Sequence, residues 1–300
     1  MQTKKKVTAM RNDFAAFILT HGRPHNVLTY QSLKFSGYTG RIIVVADNED
    51  RQLDNYRKNF KNELYVFDKK EIARTVDACD NYDKRNSVVY ARNCTFKIAK
   101  ELGIRYIWQL DDDYPSFHWS ADNNKNYLTT TTESKIKNLD AVLDACLEFM
   151  LAAGAKSVAF AQGGDFIGGG DGRFFQKWKS GQLSRKAMNS FILDVDNPCV
   201  FRGRVNDDVN LYVEGGRRGE LFVTFQRLRV QQPQTQKNEG GCTEIYLEMG
   251  TYIKSFYSVM VAPSCVKIAS MGEVNRRIHH MVSWKHCCPV IIDEKYRKPR

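Results

Sequence analysis

Three consecutive aspartates, Asp111-Asp112-Asp113, follow the apolar run Ile104–Leu110 (IRYIWQL). Carboxylates crowded at the end of a buried strand repel one another unless a cation sits among them. In extended geometry Asp111 and Asp113 point to one side and Asp112 to the other. Two same-side carboxylates suit a hard divalent ion, Mn2+ or Mg2+, held in turn against substrate phosphates. The competing reading is a solvated acidic turn, since aspartate often ends strands.

A second acidic cluster, Asn206-Asp207-Asp208, is flanked by Arg202 and Arg204. A carboxylate there would take a proton from an attacking hydroxyl. The same residues fit a helix start, where aspartate is favoured by the dipole. His279 and His280 are adjacent and point to different faces, so at most one of them reaches a given metal. Glu133-Ser134-Lys135 loosely imitates a two-metal nuclease, but reads as the opening of a helix rather than a core strand. No G-x-x-x-x-G-K-[ST] run is present, which disfavours a Walker-type NTPase. The glycine-rich stretch QGGDFIGGGDG reads as a mobile loop, able to act as a lid over a donor.

These residues need a frame. Phe14–Thr20 is a short apolar strand running into His-Gly-Arg-Pro, and Pro24 is expected to open a helix. Arg41–Ala46 and Glu63–Phe67 read as further strands, and helical spacing covers Asn86 to Leu102, with Gly103 at the stop position. Apolar strands alternating with helices predict an α/β fold with a mostly parallel sheet flanked by helices. Ligands bind such sheets beyond the carboxyl ends of the strands, where His21, Arg23, Asp47 and Asp111–Asp113 stand. The second half is more mixed. It has a helix predicted at Ser134–Leu151, strands at 157–161, 190–195 and 221–225, a helix from Thr243, and a basic tail, KYRKPR. With no repeat and no linker, residues 1–300 read as one domain, 1–115 forming a donor-side half and 116–300 an acceptor-side half.

The 300 residues carry 45 Lys+Arg against 34 Asp+Glu, a net charge of +11. Residues 173–237 hold 12 basic and 6 acidic side chains, which a polyanion partner such as nucleic acid would explain and an ordinary solvated basic surface would explain equally. No apolar run approaches a membrane span. The eight cysteines contain no C-x-x-C pair, which disfavours structural zinc. Cys94, Cys146 and Cys265 read as small buried hydrophobes, and a reduced, cytoplasmic setting is expected.

Met188-Asn189-Ser190, Asn206-Asp207-Asp208-Val209-Asn210, QTQKNEGGCTEIY, GTYIKSFYSVMVAPSCVKI and RIHHMVSWKHCCPVII resemble blocks of the TET-associated glycosyltransferases. That family is found largely in bacteriophages and was proposed to glycosylate hydroxymethylated pyrimidines in DNA. ILTHGRP, VVADNED, YARN and QLDDDY resemble the nucleotide-sugar half of the GT-A glycosyltransferase fold.

The resemblance implies a UDP-sugar donor, UDP-glucose by preference, and a location in the host cytoplasm if the chain is phage-encoded. Thr20, His21 and Arg23 would line the nucleotide pocket, with Asp112 beside it. Asp47 would accept from uracil N3–H or a ribose hydroxyl, and Arg92 and Asn93 would face the diphosphate and sugar. Asp111, Asp113 and His280 (or His279) would hold the metal. Asp208 would be the base and Asp207, in place of an expected Glu, its partner. The alternatives are a protein or small-molecule acceptor, or a non-catalytic DNA-binding protein.

Overall fold

The computed structural model describes residues 9–232, 243–271 and 277–287. In chain order the elements are β1 Phe14–Leu19, α1 Leu28–Phe35, β2 Arg41–Asp47, α2 Leu53–Phe60, β3 Leu64–Phe67, α3 Lys69–Ala73, α4 Val89–Glu101, β4 Tyr106–Asp111, β5 Ser116–Trp119 and α5 Leu139–Ala153. They continue with β6 Ser157–Gln162, α6 Arg173–Lys179, β7 Ser190–Asp194, α7 Asp207–Arg217, β8 Phe222–Gln231, α8 Thr243–Val261, β9 Val266–Met271, β10 Arg277–Val282 and α9 Trp284–Cys287.

Eight strands form one sheet in the order β3-β2-β1-β4-β7-β6-β8-β5, and β9 and β10 pair separately. The pairs β2–β3, β1–β2, β1–β4 and β6–β8 are parallel. β7 lies antiparallel to both β4 and β6, and β5 antiparallel to β8. The sheet is therefore mostly parallel, as the apolar strands predict. Its register brings the ends of β1, β2, β4 and β6, and the start of β7, to one edge.

Both faces of the sheet are buried, which is why β1 (FAAFIL) reads as a continuous apolar run. Phe14, Ala16 and Ile18 join Trp108 and Leu110 in one core, beneath Leu33, Tyr56, Leu143 and Leu147. Ala15, Phe17 and Leu19 join Ile107 in the other, with Val89, Cys94 and Ile98 of α4 and Val209 and Val213 of α7. Trp108 anchors the first core between Phe117 and Phe160, with ring centroids 5.2 Å apart in each pair. Cys94, Cys146 and Cys265 are buried, as expected, while Cys242, Cys288 and the KYRKPR tail lie outside the described residues.

Several boundaries differ from the sequence reading. Helix α1 starts at Leu28 rather than Pro24, because the HGRP segment is held as a turn by side chains of neighbouring elements. The helix expected from Ser134 starts at Leu139. Ser134 is instead buried against His118 (Nδ1 to Oγ 2.8 Å), and Lys135 bridges His118 of β5. The glycine-rich stretch is not an open loop. It folds into two tight turns, Gly163–Phe166 and Gly169–Asp171, packed through Phe166 on Phe175 and Tyr127. Gly172 is required there, since a Cβ would meet the Ile167 carbonyl oxygen at 2.4 Å.

Candidate active site

The acidic turn after β4 is set by the first turn of α1. Thr29 Oγ1 donates to the Asp111 carbonyl (2.6 Å) and accepts from the Tyr114 N–H (2.9 Å), while the Thr29 N–H reaches the Asp112 carbonyl (3.1 Å). Ser32 Oγ donates to the Tyr114 carbonyl (2.7 Å). With the backbone satisfied in this way, the three carboxylates take separate environments.

Asp112 turns inward. It accepts from Thr20 Oγ1 (2.6 Å) and pairs with Arg23 Nη2 (2.8 Å). Burial nevertheless pushes its carboxyl up to about 7. Asp111 faces the other side, where Arg92 Nη2 donates to Oδ1 (3.1 Å) and the Tyr114 hydroxyl lies 3.1 Å from Oδ2. Asp113 Oδ1 is buried with no hydrogen-bond partner. Its carboxyl is pushed up to about 6 by burial and by the neighbouring Asp111 charge. An orphaned carboxylate oxygen beside a second carboxylate is a donor set that fits a hard cation.

Arg92, expected to face the diphosphate and donor sugar, is drawn into the protein by two carboxylates. It is 2% exposed and lies between the two acidic clusters, with Nε 2.7 Å from Asp207 Oδ2 and Nη2 on Asp111. Phe191 and Phe201 flank its guanidinium at 5.0 and 5.7 Å. Gln109 of β4 fixes the helix beneath by donating to the Arg92 carbonyl (2.9 Å). Asn93 is structural. Its Nδ2 donates to the carbonyls of Val89 and Phe201 and its Oδ1 accepts from the Phe201 N–H, which pins the segment leading to α7.

Asp207 and Asp208 begin α7, preceded by Asn206 in the left-handed region (φ 57°). Burial raises both carboxyls, and Arg92 opposes the rise. Asp208 Oδ1 accepts from the Val209 N–H (2.7 Å). Asn206 Nδ2 donates to the Lys254 carbonyl (2.7 Å) and lies 3.4 Å from His280 Nδ1, which links α7 to α8 and β10. Burial, with His279 and Lys254 nearby, pushes His280 down to about 4. Asp111, Asp113 and His280 were expected as one ligand set, yet among the described residues no three His, Cys, Asp or Glu side chains share a metal position. The ring of His280 lies beside Asn206 and is tilted against His279, with centroids 4.2 Å apart.

At the end of β2, Asp47 spends its carboxylate internally instead of facing a base. Oδ2 accepts from His21 Nδ1 (2.8 Å) and Lys69 Nζ (3.1 Å), and Oδ1 accepts from the Glu49 N–H (3.1 Å). The outward group is His21, whose side chain is 43% exposed and whose pKa Asp47 raises. Thr20 is also occupied, between Asp112 and the Tyr56 hydroxyl (2.7 Å). Tyr56, Asp50 and Lys69 escaped the sequence reading. Asp50 accepts from the Gly22 N–H (2.6 Å) and Tyr56 from the Arg23 N–H (2.8 Å), so both shape the HGRP turn. Asp50 lies within VVADNED and was open to notice, while nothing marks Tyr56 or Lys69. Tyr114, next to the aspartates, was the other legible omission. Its hydroxyl also reaches the Asn189 carbonyl (2.8 Å) and so ties the turn to β7.

The geometry is a strand-end acidic turn facing a buried Asp pair across one arginine. A family model described as TET-associated glycosyltransferase matches residues 14–241. The chain belongs to that family. No curated protein matches it. Among solved structures, TarS 1–349 from S. aureus aligns over 82% of this chain and 65% of its own, at 12% identity and a TM-score of 0.40. The mannosyltransferase PcManGT from Pyrobaculum calidifontis, in complex with GDP-Man and Mn2+, aligns over 86% of this chain and 76% of its own, at 11% identity and a TM-score of 0.46. The chain thus spans slightly less than two thirds of the TarS fragment. No described helix is long and apolar enough to cross a membrane.

Proposed function

We propose that this protein transfers a sugar from a UDP-sugar, UDP-glucose by preference, to the hydroxyl of a hydroxymethylpyrimidine base in DNA. The observation that carries the reading is the Arg92 bridge, which holds a donor-side acid, Asp111, and an acceptor-side acid, Asp207, on one guanidinium. Donor and acceptor chemistry are thereby fixed relative to each other, as a group transfer between two substrates requires. Family membership supplies the reaction class, and the exposed basic side chains within residues 173–237 favour a polyanionic acceptor.

Asp111 and Asp113 would hold a divalent cation, Mn2+ or Mg2+, which when bound neutralises charge on the departing diphosphate. His280 has no part in that set. Arg23, anchored on Asp112, and His21, anchored on Asp47, line the donor side and supply positive charge toward the nucleotide and its phosphates. Asp207 orients Arg92, which leaves Asp208 to accept the proton of the attacking hydroxyl. Its burial favours that uptake, because a desolvated carboxylate binds a proton more tightly. A base in this role accompanies single displacement with inversion at the anomeric carbon.

The test is incubation with a panel of UDP-sugars, Mn2+ and DNA containing hydroxymethylcytosine or hydroxymethyluracil, read by nucleoside mass spectrometry. A mass gain of one hexose on the modified nucleoside is the expected result. Hydrolysis of the donor with no label on DNA, or label on protein instead, overturns the acceptor assignment.

A further inference from the structure

The sheet edge that carries the acids also carries a formed surface that the chemistry above does not use. After β6 the chain folds into the two glycine turns and α6, then returns to β7 through residues 180–189. This segment is joined to the acidic turn. Tyr114 reaches both Asp111 and the Asn189 carbonyl, while Lys186 donates to Asp165 in the first glycine turn. Thr224 Oγ1 holds the Lys186 carbonyl at 2.7 Å, and Gln176 Nε2 holds the Gly170 carbonyl at 2.6 Å. Phe166, Phe174 and Phe175 pack beneath, with Phe166 and Phe174 edge to face.

On this platform Ile167 stands out of the protein, 82% exposed. The backbone around it is fixed by Gly168 (φ 85°) and by the close approach of Gly172. A large aliphatic side chain exposed to water at a turn tip contributes nothing to the core. Arg173, Lys177, Lys179 and Arg185 follow it in the same segment, all exposed and none in an ion pair among the described residues. Residues 163–189 contain five basic and two acidic side chains, and one of those acids, Asp165, is already paired with Lys186. An exposed apolar turn tip on a segment that carries four exposed cations outside any ion pair is complementary to a stacked, phosphate-flanked duplex. Asp208 is only 9% exposed, so a base still stacked in a helix cannot bring its hydroxyl to that carboxylate.

We infer that residues 163–189 dock double-stranded DNA and that Ile167 enters the base stack, filling the gap left as the target nucleotide swings into the acidic recess. The inference rests on the DNA-acceptor reading above and adds to it a duplex substrate and an extrusion device. Phosphates are held by Arg173, Lys177, Lys179 and Arg185.

Two variants test this. I167A alters an exposed side chain and leaves the fold intact, which circular dichroism verifies. Transfer is measured on the same hydroxymethylcytosine oligonucleotide as a single strand and as a duplex. A 2-aminopurine next to the target base reports unstacking without any sugar transfer. The wild type raises 2-aminopurine fluorescence in the duplex, and I167A lowers both that rise and the duplex-to-single-strand ratio of transfer by about tenfold. The double variant K177E/K179E weakens binding to both forms and reduces the salt slope of log K by about 2. An unchanged ratio with unchanged fluorescence in I167A overturns the wedge even where DNA is glycosylated. Wild-type protein that binds no DNA at low salt overturns the acceptor reading and this inference together, and that arm distinguishes the two failures.

Discussion

At the scale of single residues, three adjacent aspartates have three different duties. Asp113 has a buried oxygen that touches no donor, so removing its charge costs the fold nothing and relieves repulsion with Asp111. D113N is expected to keep or slightly raise the melting temperature while sugar transfer falls by about 100-fold or more, the scale of losing a main electrostatic contact to the developing charge. Transfer comparable to wild type in D113N would remove the proposed cation site. Asp112 is the opposite case. D112N leaves Arg23 without its anion, and the loss is expected at about 2–3 kcal/mol in urea unfolding. That is below the figure for a fully buried pair, because the Arg23 side chain is 19% exposed. The sequence placed Asp111 and Asp113 apart from Asp112 through strand alternation alone. Which carboxylate is structural depended on partners drawn from the β1–α1 connection and α4, and no local pattern contains them.

At the scale of elements, the acidic turn owes its shape to a helix eighty residues earlier. Thr29 makes three contacts with the turn through its hydroxyl and its backbone. T29V preserves the volume and removes the two hydroxyl bonds, so it is expected to cost about 1–3 kcal/mol in chemical denaturation. Transfer should drop with it, with the KM for the donor rising more than kcat falls. An unchanged KM would show that the turn holds itself. Arg92 joins α4, β4 and α7 in the same manner. R92M strands Asp111 and Asp207 in a buried environment and is expected to destabilise by about 3–5 kcal/mol. The strands and the interior of α4 were legible because burial on both faces writes a continuous apolar run. The start of α1 was not, since Pro24 is compatible with a helix opening and the turn at HGRP is held by distant side chains, among them Asp50, Gln52, Tyr56 and Asn59.

At the scale of the whole molecule, the basic excess of residues 173–237 divides into two populations. Arg204 is buried on Asp80 (2.8 Å), Arg229 is buried near Tyr127 (3.1 Å), and Lys186 pairs with Asp165. The exposed remainder gathers on and around α6 and at Arg217 and Arg218. Net charge alone therefore overstates the surface available to phosphates. His118 sets a pH response of the fold as a whole. Burial, with Arg229 and Lys135 nearby, pushes it down to about 4, while both ring nitrogens are engaged by Ser116 and Ser134. The unfolded chain takes up a proton near pH 6.5 and the folded one does not, so stability falls as pH drops from about 6.5 towards 4. Thermal melts across that range should show the decline, and H118Q should flatten it. An equal slope in H118Q would assign the effect to another group.

By itself the sequence determined the α/β layering, the placement of one acidic cluster at a strand end and another at a helix start, and the family. Each is written in short-range features: apolar periodicity, charge adjacency and long local blocks. Tertiary structure alone decided that Arg92 bridges the two clusters, that Asp47 supports His21, and that, among the described residues, no third His, Cys, Asp or Glu joins Asp111 and Asp113 at one metal position. It also decided that the glycines form two packed, tight turns. Those outcomes depend on which distant side chains a buried charge finds as partners, and desolvation makes that pairing obligatory while leaving no trace in residue spacing.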